Sequence, residues 1–517
     1  MQTQHVFEHL KDRIVCLVTK TVKHFVQGQP SGAGGASTDD SDAASTGADW
    51  NLAALTRLAG QARERLAGGG SLADMQACLE PLHTLDTFMR EAALASASHW
   101  YMILIEHVAG TGHMGTDFEH EGVGYRFHGY RWRRLHLVTG EIVVKAAYYT
   151  RVGGGPGIYP LDLILGVDDA GHTREASFLM AEFAARTDYP EAETLVARAT
   201  GLRIDQNRLH RHIDALGRAA RPLQKAPPES SDAPPPQARV VVETDALMAP
   251  MRFDPVGDDP EKARAGWHEA HVGVVGIPGP CEPREPAYRR KDRSPGHKRK
   301  SRADEHPDVK LFDQTYVATY EGRQGHLEQL YVEARRRGWT PQTQTALIGD
   351  GANWVHVDAG EFFPGAVHIL DWHHAAEHLA AVRDLAYESK ASQGAGWYAR
   401  QETNLWEGNI EAVIRSILYL ARTSRRKPAK ELRKQARYFR KRTGMMNYPA
   451  YRKAGWPIGS GAVESACRHV VQERCKCSGM RWSTRGLQNL LAVRTTILNN
   501  GFNELWTAHA RRTGKAA

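Results

Sequence analysis

Thr345–Asp371 (TALIGDGANWVHVDAGEFFPGAVHILD) decides how the second half of this chain folds. Thr345–Ile348 is a short apolar run stopped by Gly349-Asp350-Gly351, which reads as a buried strand closed by a turn. Ala366–Leu370 repeats the pattern and stops at Asp371, with a helical stretch ending in Phe362 and Phe363 between the two runs. A long helix is expected from about His374. Upstream, Val240-Val241-Val242 in VVVETDALMAP reads as a strand ending at Asp245. Glu269–Ile277 and Thr315–Tyr320 read as two further strands, and Gly325–Trp339 as a helix with Leu327, Leu330, Val332 and Ala334 inside.

Three strands followed by helix, strand, helix, strand, helix is the element order of a ribonuclease-H-like α/β fold. Its first three strands form a meander, and the fourth lies parallel beside the first. That pairing would bring Asp245 and Asp350 to one crevice at the carboxyl edge of the sheet, where open α/β sheets gather ligands. Two carboxylates held together repel unless a cation lies between them, and a hard divalent ion with oxygen ligands suits them. Glu464, in Gly459-Ser460-Gly461-Ala462-Val463-Glu464-Ser465, is the third acid, in the first turn of a helix running to about Cys475. Each acid alone also has an ordinary reading: turn chemistry for the aspartates, and dipole or Arg468 pairing for Glu464.

Charge supports a polyanion partner. The formal +8 is unevenly spread: Arg289–Arg302 carries a net +7 and Arg422–Arg442 a net +10, leaving −9 on the rest. Clustered Lys and Arg gain by releasing counterions from phosphates, so nucleic acid is the expected partner. The longest apolar run, Trp100–Ile105, is far short of a membrane span, the N-terminus lacks a signal pattern, and six cysteines form no disulfide framework or Cys-x-x-Cys pair. A reduced, cytoplasmic, nucleoid-associated protein without a membrane partner is therefore expected.

Along the chain, 1–27 reads as a helix and 28–50 as a disordered linker too poor in apolar residues to order. Residues 51–170 read as a helical region plus a β-hairpin, Tyr125–Tyr149, turning at Thr139-Gly140; the hairpin's Arg and aromatic residues could touch DNA or simply be half-buried. Residues 171–221 read as a helix-turn-helix-like segment. Its last helix, capped by Asp205, would present Gln206, Asn207, Arg208, His210 and Arg211 to DNA, or form a structural hairpin. A Pro-rich linker, 222–238, sets this part off from the remainder of the chain, which is expected to be a separate domain. The catalytic core would then be 239–386 and 458–517, interrupted by a basic helical insertion at 387–457.

Gly349–Leu379 and Trp456–Trp482 resemble the two signature blocks of ISKra-type insertion-sequence transposases, in the Asp-Asp-Glu group related to Mutator elements. The resemblance covers about Ala176 to Trp506. It implies Asp245, Asp350 and Glu464 as the catalytic and metal-binding acids, at intervals of 105 and 114 residues, the second lengthened by the group's helical insertion. Asp371-Trp372-His373-His374 matches the group's Asp/Cys-x-x-His motif, with Asp371 and His374 in support. Two departures stand out: Thr150–Gly153 lacks the cysteines often found there, and Ala246 replaces the usual Gly after the first acid.

The activity so implied is metal-dependent strand cleavage and transfer on double-stranded DNA, acting at terminal inverted repeats and target sites. Two Mg2+ ions about 3.5–4 Å apart, or Mn2+ in their place, would serve an in-line displacement. At least a dimer is expected on DNA. Phosphate contacts are expected from Arg208 and Arg211, from Lys298, Arg299 and Lys300 in one basic run, and from Arg425, Arg426, Lys427, Arg433, Lys434 and Arg437 in the other. Trp397, Trp406 or Tyr438 could stack on bases or pack in the core. One alternative is a transposase-derived DNA-binding regulator that has lost catalysis. A remote one is a zinc metalloprotease, because His374-Ala375-Ala376-Glu377-His378 satisfies His-x-x-Glu-His.

Overall fold

The computed structural model describes residues 72–228, 235–253, 265–281, 308–387 and 391–515. The expected N-terminal helix, the 28–50 linker, and the basic run with Lys298, Arg299 and Lys300 lie outside the described residues. The chain divides into two units, Met1–Trp100 and Tyr101–Ala517, the division falling within helix α1 (Leu72–Val108). Both β-sheets belong to the second unit.

The first sheet has three strands rather than the expected two. β1 (Asp117–His120) pairs antiparallel with β2 (Val123–Leu137), which pairs with β3 (Gly140–Arg151). Leu137 faces Gly140, so Val138 and Thr139 form the two-residue turn. Short α2 (Pro160–Leu165) precedes α3 (Arg174–Arg186), α4 (Tyr189–Ala199) and α5 (Gln206–Lys225). Asp205 caps α5 as expected, its carboxylate accepting from the Asn207 and Arg208 amides. Helix α5 runs on past Gly217 and through Pro222, so the first residues assigned to the Pro-rich linker are helical.

The second sheet is mixed, in the order β6 (Asp308–Thr319), β5 (Gly266–Cys281), β4 (Arg239–Met251), β7 (Gln344–Gly349), β8 (Val367–Leu370). β4, β5 and β6 form the antiparallel meander, while β7 lies parallel beside β4 and β8 parallel beside β7. Strand residues alternate faces, and here both faces are buried. Val240, Val242, Val275 and Leu347 pack on Leu327, Leu330 and Ala334 of α6 (Gly322–Arg336). Val241, Ala346, Ile348 and Ile369 pack on α8 (Trp372–Tyr387), after the short α7 (Ala359–Phe362).

The insertion is all-helical: α9 (Ala391–Trp406), α10 (Ile410–Thr423), α11 (Arg426–Lys441) and α12 (Tyr448–Lys453). Trp397 is buried with its indole N–H on Ser416, and Trp406 packs against Trp372 and the Arg452 guanidinium. Both therefore serve packing. The chain closes with α13 (Gly461–Ala466), prolonged by a π-helical stretch (Cys467–Gln472) and a last turn (Glu473–Cys475), then α14 (Thr484–Leu498) and α15 (Phe502–Lys515).

One expectation needs correcting. The segment before the Pro-rich linker does not form a core of its own: Met180, Ala184, Leu209, Ile213 and Leu216 share one apolar core with Val272, Val274, Val470, Leu490 and Leu505. Gln224 adds a hydrogen bond from α5 to the Ala492 carbonyl, 2.9 Å. Three short helices bury too little apolar surface to stand alone, so they complete their core on the sheet's C-terminal helices. No helix among the described residues is long and apolar enough to cross a membrane.

Candidate active site and nucleic-acid interface

The parallel pairing of β4 with β7 stops at Glu243 opposite Ile348. β7 ends at Gly349 and releases Asp350, but β4 continues to Met251 on its antiparallel partner. Asp245 is thus in mid-strand, not at a strand end as its sequence suggested. It lies two residues beyond the last parallel pair, where the neighbouring strand has left, and is half-buried. Its Oδ1 accepts the Ala246 amide (2.7 Å) and its Oδ2 the Cys467 thiol (3.7 Å). Burial raises the Asp245 pKa above its ordinary value and the Asp350 charge adds to the rise, against the Ala246 amide and His374. The two aspartates therefore feel each other, as the crevice argument requires.

The Asp350 loop is braced from the insertion. Asp350 Oδ1 accepts the Ala352 amide at 2.8 Å, an Asx turn. Tyr438 donates its hydroxyl to the Asp350 carbonyl (3.0 Å), and Arg442 Nε donates to the Gly351 carbonyl (2.7 Å) with its guanidinium 4.0 Å over the Tyr438 ring.

Glu464 belongs to a second group. Its carboxylate, that of Asp371 and a His374 ring nitrogen lie within 4.8 Å of one another. Glu464 is exposed and His374 half-buried, whereas Asp371 is fully buried. The Asp371 oxygens are taken by backbone amides: Oδ1 by His374 (2.8 Å), capping α8, and Oδ2 by Ser460 in a short contact. Its own amide donates to the Gly349 carbonyl, 2.9 Å. Asp371 is thus a brace that ties β7, α8 and the glycine loop carrying Glu464 into one unit. Among the described residues, no set of three mutually close donors includes Asp245 or Asp350. The five residues form two neighbouring groups, linked by the pull of His374 on Asp245. Arg468 pairs with Glu473, which leaves Glu464 outside the i+4 pair its position allowed.

The sequence reading passed over Glu243. Fully buried on β4, it accepts the Val463 amide at 2.8 Å in the first turn of α13. Four helical residues advance about 6 Å and two strand residues about 6.8 Å, so α13 and β4 keep step: Val463 meets Glu243 and Cys467 meets Asp245. This alignment fixes the helix that carries Glu464 against β4. Burial pushes the Glu243 carboxyl from 4.5 up to about 8, with the amide bonds opposing and the Asp371 and Glu464 charges adding.

A folded pKa above the unfolded one means that the native state holds the extra proton between those values. Stability should therefore fall as pH rises from 4.5 to 8, by about 1.4 kcal/mol per pH unit at the steepest. Glu243→Gln, which imitates the protonated acid, should flatten that fall in urea melts taken at pH 5 and pH 8. An equally steep fall in the variant would assign the dependence to other groups.

Helix α11 presents a basic face beside this site. Ala429, Leu432, Ala436 and Phe439 are buried in the insertion's core, while Arg425, just before it, and Lys427, Arg433, Lys434 and Arg437 are exposed. Lys434 also pairs with Glu431, and the Arg426 side chain lies outside the described residues. Because Tyr438 and Arg442 at the helix's far end hold the Asp350 loop, the basic face and the acids are mechanically joined. On α5, Arg211 is exposed, but Arg208 is half-buried with its guanidinium 2.9 Å from His136 Nε2 of β2.

The His-x-x-Glu-His reading does not survive the geometry. His378 stacks on Tyr438 at 3.6 Å and its Nδ1 is 2.7 Å from Gln435 Oε1, so it faces α11. It forms no three-donor group with His374 among the described residues. A hard divalent cation takes oxygen donors, which Asp245, Asp350 and Glu464 offer by type, and the burial that disfavours the Asp245 charge is a penalty a cation would relieve; at this site the three donors that lie within 4.8 Å of one another are those of Asp371, His374 and Glu464. No protein-family model matches this chain, and no curated protein matches it.

Proposed function

We propose that this protein is a DNA transposase of the Asp-Asp-Glu type, built on a ribonuclease-H-like core and cutting and joining DNA strands by metal-dependent phosphoryl transfer. One observation carries the reading. The β6-β5-β4-β7-β8 sheet with its parallel β4–β7 pair supports it: Asp245 on β4 feels the charge of Asp350 just past β7, and α13, bonded to β4 through Val463 and followed by Cys467 on Asp245, carries Glu464. The sequence resemblance in Gly349–Leu379 and Trp456–Trp482 points the same way.

In this reading Asp245, Asp350 and Glu464 would hold Mg2+. When bound, such an ion lowers the pKa of a water and offsets charge on the attacked phosphate. The chain's own groups do the rest. Asp371 keeps α8 and the Glu464 loop together, and Glu243 fixes α13 against β4. Tyr438 and Arg442 hold the Asp350 loop, and His374, next to Asp371 and Glu464, would donate to a phosphate oxygen. The exposed cations of α11 bind the DNA backbone leading into the site.

Full-length protein mixed with DNA from the borders of its own gene tests this. Binding with Mg2+-dependent strand cleavage is expected; binding without cleavage in the unmutated protein would instead make it a silent regulator, and absence of binding would overturn the reading. Changing Arg425, Lys427, Arg433, Lys434 and Arg437 to Gln should weaken binding and reduce the slope of log K against log salt by up to about 4–5. An unchanged slope would remove α11 as a phosphate contact.

A further inference from the structure

Away from the acid site, the loop between α2 and α3 and the faces of α5 and α15 bring a second set of ligating side chains together. Asp168, His172 and His212 are all more than nine-tenths buried, and one donor atom from each lies within 4.8 Å of the other two. His509, equally buried on α15, places Nε2 3.4 Å from Asp168 Oδ2. We propose that this cluster is a structural transition-metal site, with Zn2+ as its ion, ligated by Asp168, His172 and His212 and completed by His509.

Three observations support the assignment. First, the loop is shaped to aim its side chains: Gly171, at φ +81°, makes the tight turn Asp168–His172, and a Cβ there would fall 2.3 Å from the Arg134 carbonyl. Asp168 Oδ1 accepts the His172 amide (2.8 Å), and Oδ2 lies 3.0 Å from His172 Nδ1. Second, His172 Nε2 is buried with no hydrogen-bond partner, which an ion-free polar network leaves unexplained.

Third, the donors match the ion. Imidazole nitrogens with one carboxylate suit zinc and disfavour magnesium or calcium. Zinc bonds of about 2.0–2.1 Å hold tetrahedral donors about 3.3 Å apart, so among Asp168, His172 and His212 the widest pair would close by at most about 1.5 Å, with His509 brought in from outside that group. A cleft of about 420 Å³ is lined by the cluster together with Arg208, Arg211 and Arg218. The ligands come from residues 168–172, 212 and 509, so the ion would clasp the start of the helical segment to the last helix. This is independent of the transposase reading.

The test uses the full-length chain, stripped with a chelator and titrated with Zn2+ at neutral pH in phosphate-free buffer. About one Zn2+ per chain should survive desalting, and Tm should rise by about a few degrees. Glu464→Gln should keep that ion, while His172→Ala and His212→Ala should bind it at least about 100-fold more weakly. An unmutated protein that retains no zinc and shows no Tm change would overturn the proposal, whatever becomes of the variants. Equal retention in both histidine variants, loss in Glu464→Gln, or a Tm rise with inorganic phosphate but not zinc would overturn it as well.

Discussion

Asp350→Asn should reduce strand cleavage by at least about 10³-fold while leaving DNA binding nearly unchanged, a loss of the size seen when a group acting only in the transition state is removed. The substitution is chosen because the loop should survive it. Asn keeps the Oδ1 acceptor for the Ala352 amide, and the main chain stays held by Tyr438 on the Asp350 carbonyl and Arg442 on the Gly351 carbonyl. What disappears is the negative charge that adds to the raised pKa of Asp245. Asp245 should accordingly ionise at lower pH in the variant, which a carboxyl NMR titration can read. Unchanged cleavage, or binding lost with the fold intact, would remove Asp350 from the site.

The second large effect is structural. Gly217→Ala should destabilise the chain by about 1–3 kcal/mol, the usual range for overpacking, although Ala in a helix interior ordinarily gains about 1 kcal/mol over Gly. Helix α5 lies so close to α14 that a Cβ on Gly217 would sit 2.4 Å from Asn489 Cβ, 2.5 Å from its Cα and 2.6 Å from its carbonyl oxygen. The contact is further fixed by Asn489 Nδ2 donating to Asp214 Oδ1 at 2.6 Å. Backbone cannot give way as a flexible side chain would. A Tm that stays put or rises would mean that α5 does not pack on α14 as described.

That contact also marks where the sequence was hard to read. Local patterns carried the sheet: apolar runs stopped by Gly349-Asp350-Gly351 and by Asp371 gave β7 and β8 nearly to the residue. The charge run Arg422–Arg442 was legible as part of a basic helical insertion, and the structure adds that Leu432, Ala436 and Phe439 turn one face of that helix inward. Packing at long range left no local signal. Pro222-rich sequence looked like a boundary, yet Leu209 and Leu216 share a core with Leu490 and Leu505, since apolar helices show that they must be covered and not by what.

Within the site, Asp350, Asp371 and His374 were readable because each follows a strand end or opens a helix. Asp245 was recognised but misplaced, because the turn-like Asp-Ala step does not reveal that β4 continues on β5 alone. Glu243 was missed because a buried acid in mid-strand has no periodic signature. Its only clue was an acid at an inward position beside Val241, a place where an apolar residue is expected. The π-helical stretches at Trp354–Asp358 and Cys467–Gln472, each just after one of the acids, likewise have no simple sequence mark.

The chemistry of the cut end tests the central claim most directly. Border DNA carrying a label on the strand to be cut is incubated with the full-length protein and Mg2+, and both the new terminus and its later attachment are identified. Asp245, Asp350 and Glu464 acting as one divalent-cation site predict a 3′-hydroxyl end that forms only with Mg2+ or Mn2+ and becomes joined to target DNA. A cut made equally well in chelator, or one that persists when all three acids are neutralised, would contradict the account.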